Sequence, residues 1–206
     1  MPLVKICGNT NPADALLAKE LGADFIGLIF AEGKRKVTPE QAKEIIDAVA
    51  PLDSVVGVFA NQPKQEVEAI AKRLKLKWVQ FHGDETSRYC QHFSDRGFRV
   101  IKTFRIKDEL SLKRLDEYNV AAFLFDTYSK TETGGSGKTF DWSLLEDKPS
   151  VHEKLFLAGG LTVDNLKNAI TRIKPYAVDV ASGVEKQPGV KDPELLRKFI
   201  FLAKGH

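Results

Sequence analysis

The chain has 206 residues, of which 43% are hydrophobic and 29% charged, a composition typical of a globular protein with a sizeable core. Its 31 basic and 28 acidic residues give a net charge of +3 and are scattered along the chain, so a nucleic-acid partner is not expected. No apolar run reaches the roughly 18 residues of a membrane span. With only Cys7 and Cys90, and no signal-peptide pattern at the start, no disulfide framework is expected and a cytoplasmic location is predicted.

One pattern recurs from end to end: a short β-rich apolar run, a polar turn and a helix-periodic stretch. Strands are predicted at residues 3–7, 24–30, 54–59, 78–82, 99–103, 121–126, 154–158 and 176–181. Helices are predicted at residues 11–21, 39–48, 63–74, 85–94, 107–117, 142–146, 163–172 and 193–203. Strict alternation implies parallel strands joined by right-handed crossovers.

Eight such units predict an α/β fold of the (β/α)₈ TIM-barrel class, a closed parallel eight-stranded barrel, spanning residues 1–206 as one domain. An open, doubly wound sheet is the structural alternative, because spacing alone does not distinguish the two architectures.

In barrels of this class the functional site forms where the strands end at their carboxyl termini. This rule selects the polar residues near strand ends, which are Cys7, Arg35, Gln80, His82, Asp126 and Asp179. Successive side chains of a strand point to opposite faces. In strands one, six and eight, the polar side chains therefore lie on the face opposite the apolar side chains that are suited to pack against the helices. We therefore expect the polar set to point into the barrel.

Several of these residues also have a purely structural interpretation. His82 precedes Gly83 and is favoured as a structural or turn residue. Lys5 lies one layer below Cys7, where pairing with a buried carboxylate is expected. Cys90 falls within a predicted helix and is expected to serve packing.

Two glycine-containing loops follow strands seven and eight directly. They contain Gly159, Gly160, Ser182 and Gly183. In TIM barrels these two loops form the usual phosphate site, where backbone N–H groups converge on the anion and a Cβ would obstruct its approach. The sequence therefore predicts phosphate binding there, with ordinary tight turns as the alternative.

A third glycine-rich stretch, residues 134–139, ends like a nucleotide-binding P-loop. That motif requires a glycine where this chain has Glu132, and it should lie directly between a strand and a helix. We interpret residues 127–140 instead as a mobile lid, in which Gly135 and Ser136 are further candidate substrate contacts.

Taken together, these residues resemble the phosphoribosylanthranilate isomerase family over essentially the whole chain. The resemblance rests on eight motifs in order: VKICG at 4–8, GADFIG at 22–27, GVF at 57–59, VQFHG at 79–83, FDT at 125–127, GGSGKTFDW at 134–142, LAGGL at 157–161 and VDVASGVE at 178–185. Each motif is weakly specific alone, but their combination and order are highly specific.

The resemblance implies an intramolecular aldose–ketose isomerase that performs the third step of tryptophan synthesis from chorismate. Its reaction is an Amadori rearrangement of N-(5′-phosphoribosyl)anthranilate. The resemblance implies neither a metal nor a cofactor. Cys7 would be the general base and Asp126 the general acid. Arg35 would hold the anthranilate carboxylate, with Lys34 and Lys36 as neighbouring alternatives, and Asp179 would meet the bridging amine.

The alternatives are a related histidine-pathway sugar isomerase or a bifunctional barrel, a P-loop nucleotide-binding protein, and a barrel that only binds a phosphorylated ligand. The histidine-pathway enzymes have an aspartate at the position of Cys7 and two similar phosphate-binding halves, whereas only the second half of this chain has a clear phosphate pattern. The expected partner is a small phosphorylated substrate, with no membrane association, and the chain is expected to be a monomer or a homodimer.

Overall fold

The computed structural model describes residues 1–127, 142–146 and 152–205. Eight parallel strands close into a barrel in chain order. Their bounds are β1 Leu3–Ile6, β2 Phe25–Ile29, β3 Val55–Phe59, β4 Trp78–Phe81, β5 Arg99–Ile106, β6 Ala122–Thr127, β7 Leu155–Leu157 and β8 Ala177–Val180. Because β1 pairs with both β2 and β8, the predicted closed barrel is confirmed and the open sheet is excluded.

The helices that the structure describes follow the strands on the outside of the barrel. They are α1 Pro12–Glu20, α2 Pro39–Ala48, α3 Lys64–Arg73, α4 Ser87–Ser94, α5 Ser143–Glu146, α6 Leu166–Ile173 and α7 Pro193–Ala203. The Asn11, Thr38 and Asp192 side chains cap α1, α2 and α7, each before a proline. These caps satisfy N–H groups that the first helical turn leaves without a partner.

The predicted fifth helix, residues 107–117, is wrong. The segment forms two short 3₁₀ turns, Glu109–Leu112 and Leu115–Glu117. Strand β5 continues three residues beyond its predicted end at Thr103 and takes up the predicted turn, so the chain bends at residues 107 and 108, inside the predicted helix. Leu112 ends the first turn and Leu115 begins the second, and both side chains are buried.

A short antiparallel hairpin follows the eighth strand and was not predicted. Its strands are β9, Glu185–Gln187, and β10, Val190–Lys191. The connecting residues, Pro188 and Gly189, form a dipeptide typical of turns, and Gly189 has a φ of +86°. The hairpin carries two charged residues of the site described below.

The apolar core has two layers separated by the barrel wall. Residues such as Val4 and Ile6 face the helices, together with Ala15 and Ala18 of α1. The interior layer fills the barrel itself and consists of Phe25, Val56, Trp78, Ile101, Ala122, Leu124, Phe156, Ala158 and Ala177. The predicted alternation is confirmed, because the inward faces of β6 and β8 continue from these apolar residues to a carboxylate near each strand end.

Candidate active site

A cavity opens at the carboxyl ends of the barrel strands. Predicted site residues that line it are Cys7, Arg35, Gln80, His82, Asp126, Gly159, Gly160, Asp179, Ser182 and Gly183. The strand-end rule therefore identified side chains that the fold brings together. Gly135 and Ser136, and with them most of the proposed lid, lie outside the described residues.

Cys7 follows β1 and is only 6% exposed. Burial raises the pKa of its thiol, while the positive charge of Lys5 opposes that rise. Lys5 is fully buried below it, and its Nζ lies 2.8 Å from Oδ1 of Asp179. Burial acts to lower the pKa of Lys5, but the charges of Asp179 and Cys7 outweigh burial and raise it. The expected pairing of Lys5 with a buried carboxylate is thus confirmed.

Asp126 lies at the end of β6, and its two carboxylate oxygens have different partners. Oδ1 accepts a 2.7 Å hydrogen bond from the Thr127 backbone N–H. Oδ2 lies 3.3 Å from Nε2 of His82. The other ring nitrogen of His82, Nδ1, lies 3.1 Å from Nε2 of Gln80. If Gln80 donates to Nδ1, the neutral ring carries its proton on Nε2 and faces Asp126 as a donor.

The glycine loops after β7 and β8 approach each other closely. Gly159 and Gly160 have φ angles of +83° and +68°, a region that favours glycine. A Cβ on Gly159 would overlap Thr127 and come within 2.9 Å of Oδ1 of Asp126. A Cβ on Gly183 would overlap the carbonyl oxygen of Leu161. Small residues here let the two loops form one wall of the cavity.

Arg35 lies at the edge of the cavity and pairs with Glu185 of the hairpin. Its Nε lies 2.9 and 3.0 Å from the two carboxylate oxygens, and its Nη2 lies 2.6 Å from Oε2. Lys191 contacts the same carboxylate at 3.0 Å. Glu185 and Lys191 were not predicted as site residues, and the Pro188–Gly189 turn was the available signal for them.

Two further properties concern only the part of the chain that the structure describes. Within residues 1–127, 142–146 and 152–205, no cluster of three or more His, Cys, Asp or Glu side chains is arranged to hold a metal ion. Among the helices described, none combines the length and apolar character needed to cross a bilayer.

Residues 4–201 match the family model described as N-(5′-phosphoribosyl)anthranilate (PRA) isomerase. The chain belongs to this family. It is 48% identical over 209 residues to the N-(5′-phosphoribosyl)anthranilate isomerase of Geotalea uraniireducens, and the similarity covers 100% of both chains. The resemblance inferred from the eight motifs is thereby confirmed.

Solved structures of the family have the same fold. The phosphoribosylanthranilate isomerase of Thermotoga maritima is 38% identical, with a TM-score of 0.92 and full coverage of both chains. A structure of phosphoribosylanthranilate isomerase in complex with reduced 1-(o-carboxyphenylamino)-1-deoxyribulose 5-phosphate is 37% identical, with a TM-score of 0.88 and the same coverage. The predictions of an enzyme, of an isomerase and of a TIM barrel are confirmed.

Proposed function

We propose that the enzyme converts N-(5′-phosphoribosyl)anthranilate into 1-(2-carboxyphenylamino)-1-deoxyribulose 5-phosphate through Cys7 and Asp126. The observation that carries this assignment is the shared cavity: a thiol, a carboxylate and two glycine loops line one space at the strand ends. These groups match the requirements of the reaction, which are a base, an acid and an anion site.

Asp126 acts first, as the general acid. It donates a proton to the ring oxygen of the ribose as the bond from that oxygen to C1 breaks, and a protonated Schiff base forms between C1 and the amine. Since Oδ1 of Asp126 accepts the Thr127 N–H, the proton is assigned to Oδ2. This oxygen also faces His82.

Cys7 acts second, as the general base. The cationic Schiff base makes the C2 proton acidic, and the Cys7 thiolate removes it. The electron pair of the C2–H bond forms a C1–C2 double bond, while the pair of the C1–N double bond returns to nitrogen. The resulting enol becomes the C2 ketone when C1 gains a proton and the C2 hydroxyl loses one. Asp179 stabilises the positive charge on the amine, and its ion pair with Lys5 fixes its orientation.

The direct test is turnover of N-(5′-phosphoribosyl)anthranilate by the purified chain, followed by the loss of substrate fluorescence. The histidine-pathway aminoaldose substrate is assayed in parallel. Isomerisation of the first substrate with little or none of the second supports the assignment. A preference for the histidine-pathway substrate, or binding of phosphate without turnover of either compound, contradicts it.

The carboxylate of the substrate is assigned to Arg35, because a planar guanidinium pairs with a planar carboxylate. Arg35→Ala should raise the barrier in kcat/KM by about 1.5–3 kcal/mol, the range for hydrogen bonds to charged groups. Steady-state kinetics measure this directly. Lys34→Ala and Lys36→Ala are the matched controls, and a larger loss in either one would transfer the role to that lysine.

The phosphate is assigned to backbone N–H groups of the loops at Gly159–Gly160 and Ser182–Gly183. Gly183→Ala should displace one loop from the other, because its Cβ would overlap the Leu161 carbonyl. We expect a roughly tenfold or larger rise in KM and in the inhibition constant of inorganic phosphate, since the backbone donors would lose their positions. Gly97→Ala is the control: its φ of +83° strains an alanine, but the added Cβ would meet no neighbour within 4 Å, so stability should fall while the phosphate constant stays unchanged. An unchanged phosphate constant would place the anion elsewhere.

The proposal also covers the location, the domain organisation and the oligomeric state of the chain. We infer a cytoplasmic location from two cysteines that remain free thiols, which suits a reducing compartment. The chain is assigned a single domain over residues 1–206, acting as a monomer or a homodimer, and light scattering distinguishes these two states.

A further inference from the structure

Glu185 is a buried acid that none of the steps above uses. Its side chain is 3% exposed, and both carboxylate oxygens face Arg35. The contacts use the Nε and Nη2 edge of the guanidinium, at 2.6–3.0 Å. Such a paired contact between a planar fork and a carboxylate fixes the plane of the arginine as well as its position.

The same carboxylate binds a second cation, Lys191. Its side chain is 0% exposed, and its Nζ lies 3.0 Å from Oε1 of Glu185 and 2.5 Å from the carbonyl oxygen of Cys7. Burial lowers the pKa of Lys191 and the charge of Glu185 opposes this change. Glu185 therefore connects Arg35, through Lys191, to the end of the strand that carries Cys7.

We propose that Glu185 is a positioning residue that sets the selectivity for a carboxylated aromatic amine by holding Arg35 in place. The proposal rests on the assignment of Arg35 to the substrate carboxylate. Glu185 itself touches neither the substrate nor the reacting atoms in this scheme. It acts on which substrate is accepted, and not on the proton transfers.

The charges suit this role. Burial acts to raise the pKa of Glu185, but hydrogen bonds from Arg35 and Lys191 outweigh it and lower the pKa, so the acid stays ionised near neutral pH. The ionised carboxylate offsets part of the positive charge of Arg35 and Lys191. Its contribution to selectivity is therefore the position that it gives the guanidinium, whose charge attracts an anionic ring substituent.

The local packing also limits where Arg35 can lie. A Cβ on Gly8 would come within 2.6 Å of Cδ of Arg35, so the arginine lies across a glycine next to Cys7. Glu185 binds the Nε and Nη2 edge of the guanidinium, so the direction in which the guanidinium faces the cavity depends on the Glu185 contact.

The test compares two substrates that differ only in the ring carboxylate: phosphoribosylanthranilate and phosphoribosylaniline, each prepared from ribose 5-phosphate and the free amine. Glu185→Gln removes the charge and keeps the size. We expect the preference of kcat/KM for the carboxylated substrate to fall roughly 10–100-fold. The value for phosphoribosylaniline should change less than about threefold, because its binding and chemistry do not use Arg35.

Two controls separate this effect from a general loss of structure. Glu32→Gln removes a carboxylate from the loop that carries Arg35; that side chain is 88% exposed, and the preference should remain. The second control is a double variant that combines Glu185→Gln with Lys191→Met. It also removes the buried ammonium of Lys191, which in Glu185→Gln alone would lack the charge of Glu185 beside it. This double variant should regain part of the melting temperature lost by Glu185→Gln, without regaining the preference.

The outcomes distinguish the proposal from its premise. If wild-type enzyme turns over neither substrate, the proposed function fails. If Arg35→Ala keeps the preference, the Arg35 assignment and this proposal both fail. If Arg35→Ala loses the preference but Glu185→Gln keeps it, or if the double variant regains it together with stability, only the role of Glu185 is overturned.

Discussion

Asp126→Asn should lower kcat by roughly 10²–10⁴-fold, the usual contribution of a positioned acid. The amide has nearly the same size and can still accept the Thr127 N–H through its oxygen, so the backbone at Thr127 should keep its place. It has no acidic proton to give to the ribose ring oxygen. KM should change much less, because Asp126 is assigned to neither the phosphate nor the carboxylate.

The informative comparison is with a variant that disturbs the same surroundings but keeps the acid. Thr103→Val removes a hydroxyl that lies 3.1 Å from Nε2 of Gln80 and is linked to Asp126 only through Gln80 and His82. Its kcat should fall far less than that of Asp126→Asn. If Asp126→Asn retained near-wild-type turnover, with circular dichroism showing an intact fold, Asp126 would not be the acid.

Cys7→Ser should lower kcat by a similar factor, roughly 10²–10⁴-fold. A hydroxyl is nearly isosteric with the thiol but ionises far less readily, so the base is lost while the packing is kept. Cys90→Ser is the matched control: that thiol is buried in α4, and its burial raises its pKa to about 12. Cys90→Ser should be nearly silent in kcat.

The pH profile tests the same assignment by a second route. Since burial raises the pKa of Cys7, the thiol is mainly neutral at pH 7 in the free enzyme and the thiolate fraction grows as pH rises. The value of kcat/KM should therefore increase with pH towards and beyond the ordinary thiol range near 8.5. That rising limb should disappear in Cys7→Ser. If the rising limb persisted at the same pH in Cys7→Ser, it would report the ionisation of another group.

The barrel and its cavity were predictable because they depend on local patterns. Alternation along β6 and β8 placed Asp126 and Asp179 on the inner face, and strand ends of parallel β-strands all meet at one end of a barrel. The side chain of a residue such as Cys7 could therefore be located without knowing any long-range contact.

The fifth helix and the hairpin were not predictable in the same way. Residues 107–117 have a helix-like composition, but because β5 extends to Ile106, the turn after the strand falls at residues 107 and 108, inside that segment. Glu185 and Lys191 belong to no strand end of the barrel. Their roles follow from contacts with Arg35 and Cys7, which lie 150 and 184 residues away along the chain, and no local pattern encodes such contacts.

The ion pair between Lys5 and Asp179 joins neighbouring residues of β1 and β8, the pair of strands that closes the barrel. Its partners are separated by 174 residues of chain, so a growing polypeptide carries Lys5 long before its counter-charge has been synthesised. A contact of that sequence separation brings a large loop-closure cost and tends to form late. During synthesis or refolding, catalytic competence should therefore arise only with the final strand, and a chain that ends before residue 177 would have an ammonium with no carboxylate of β8 to meet it.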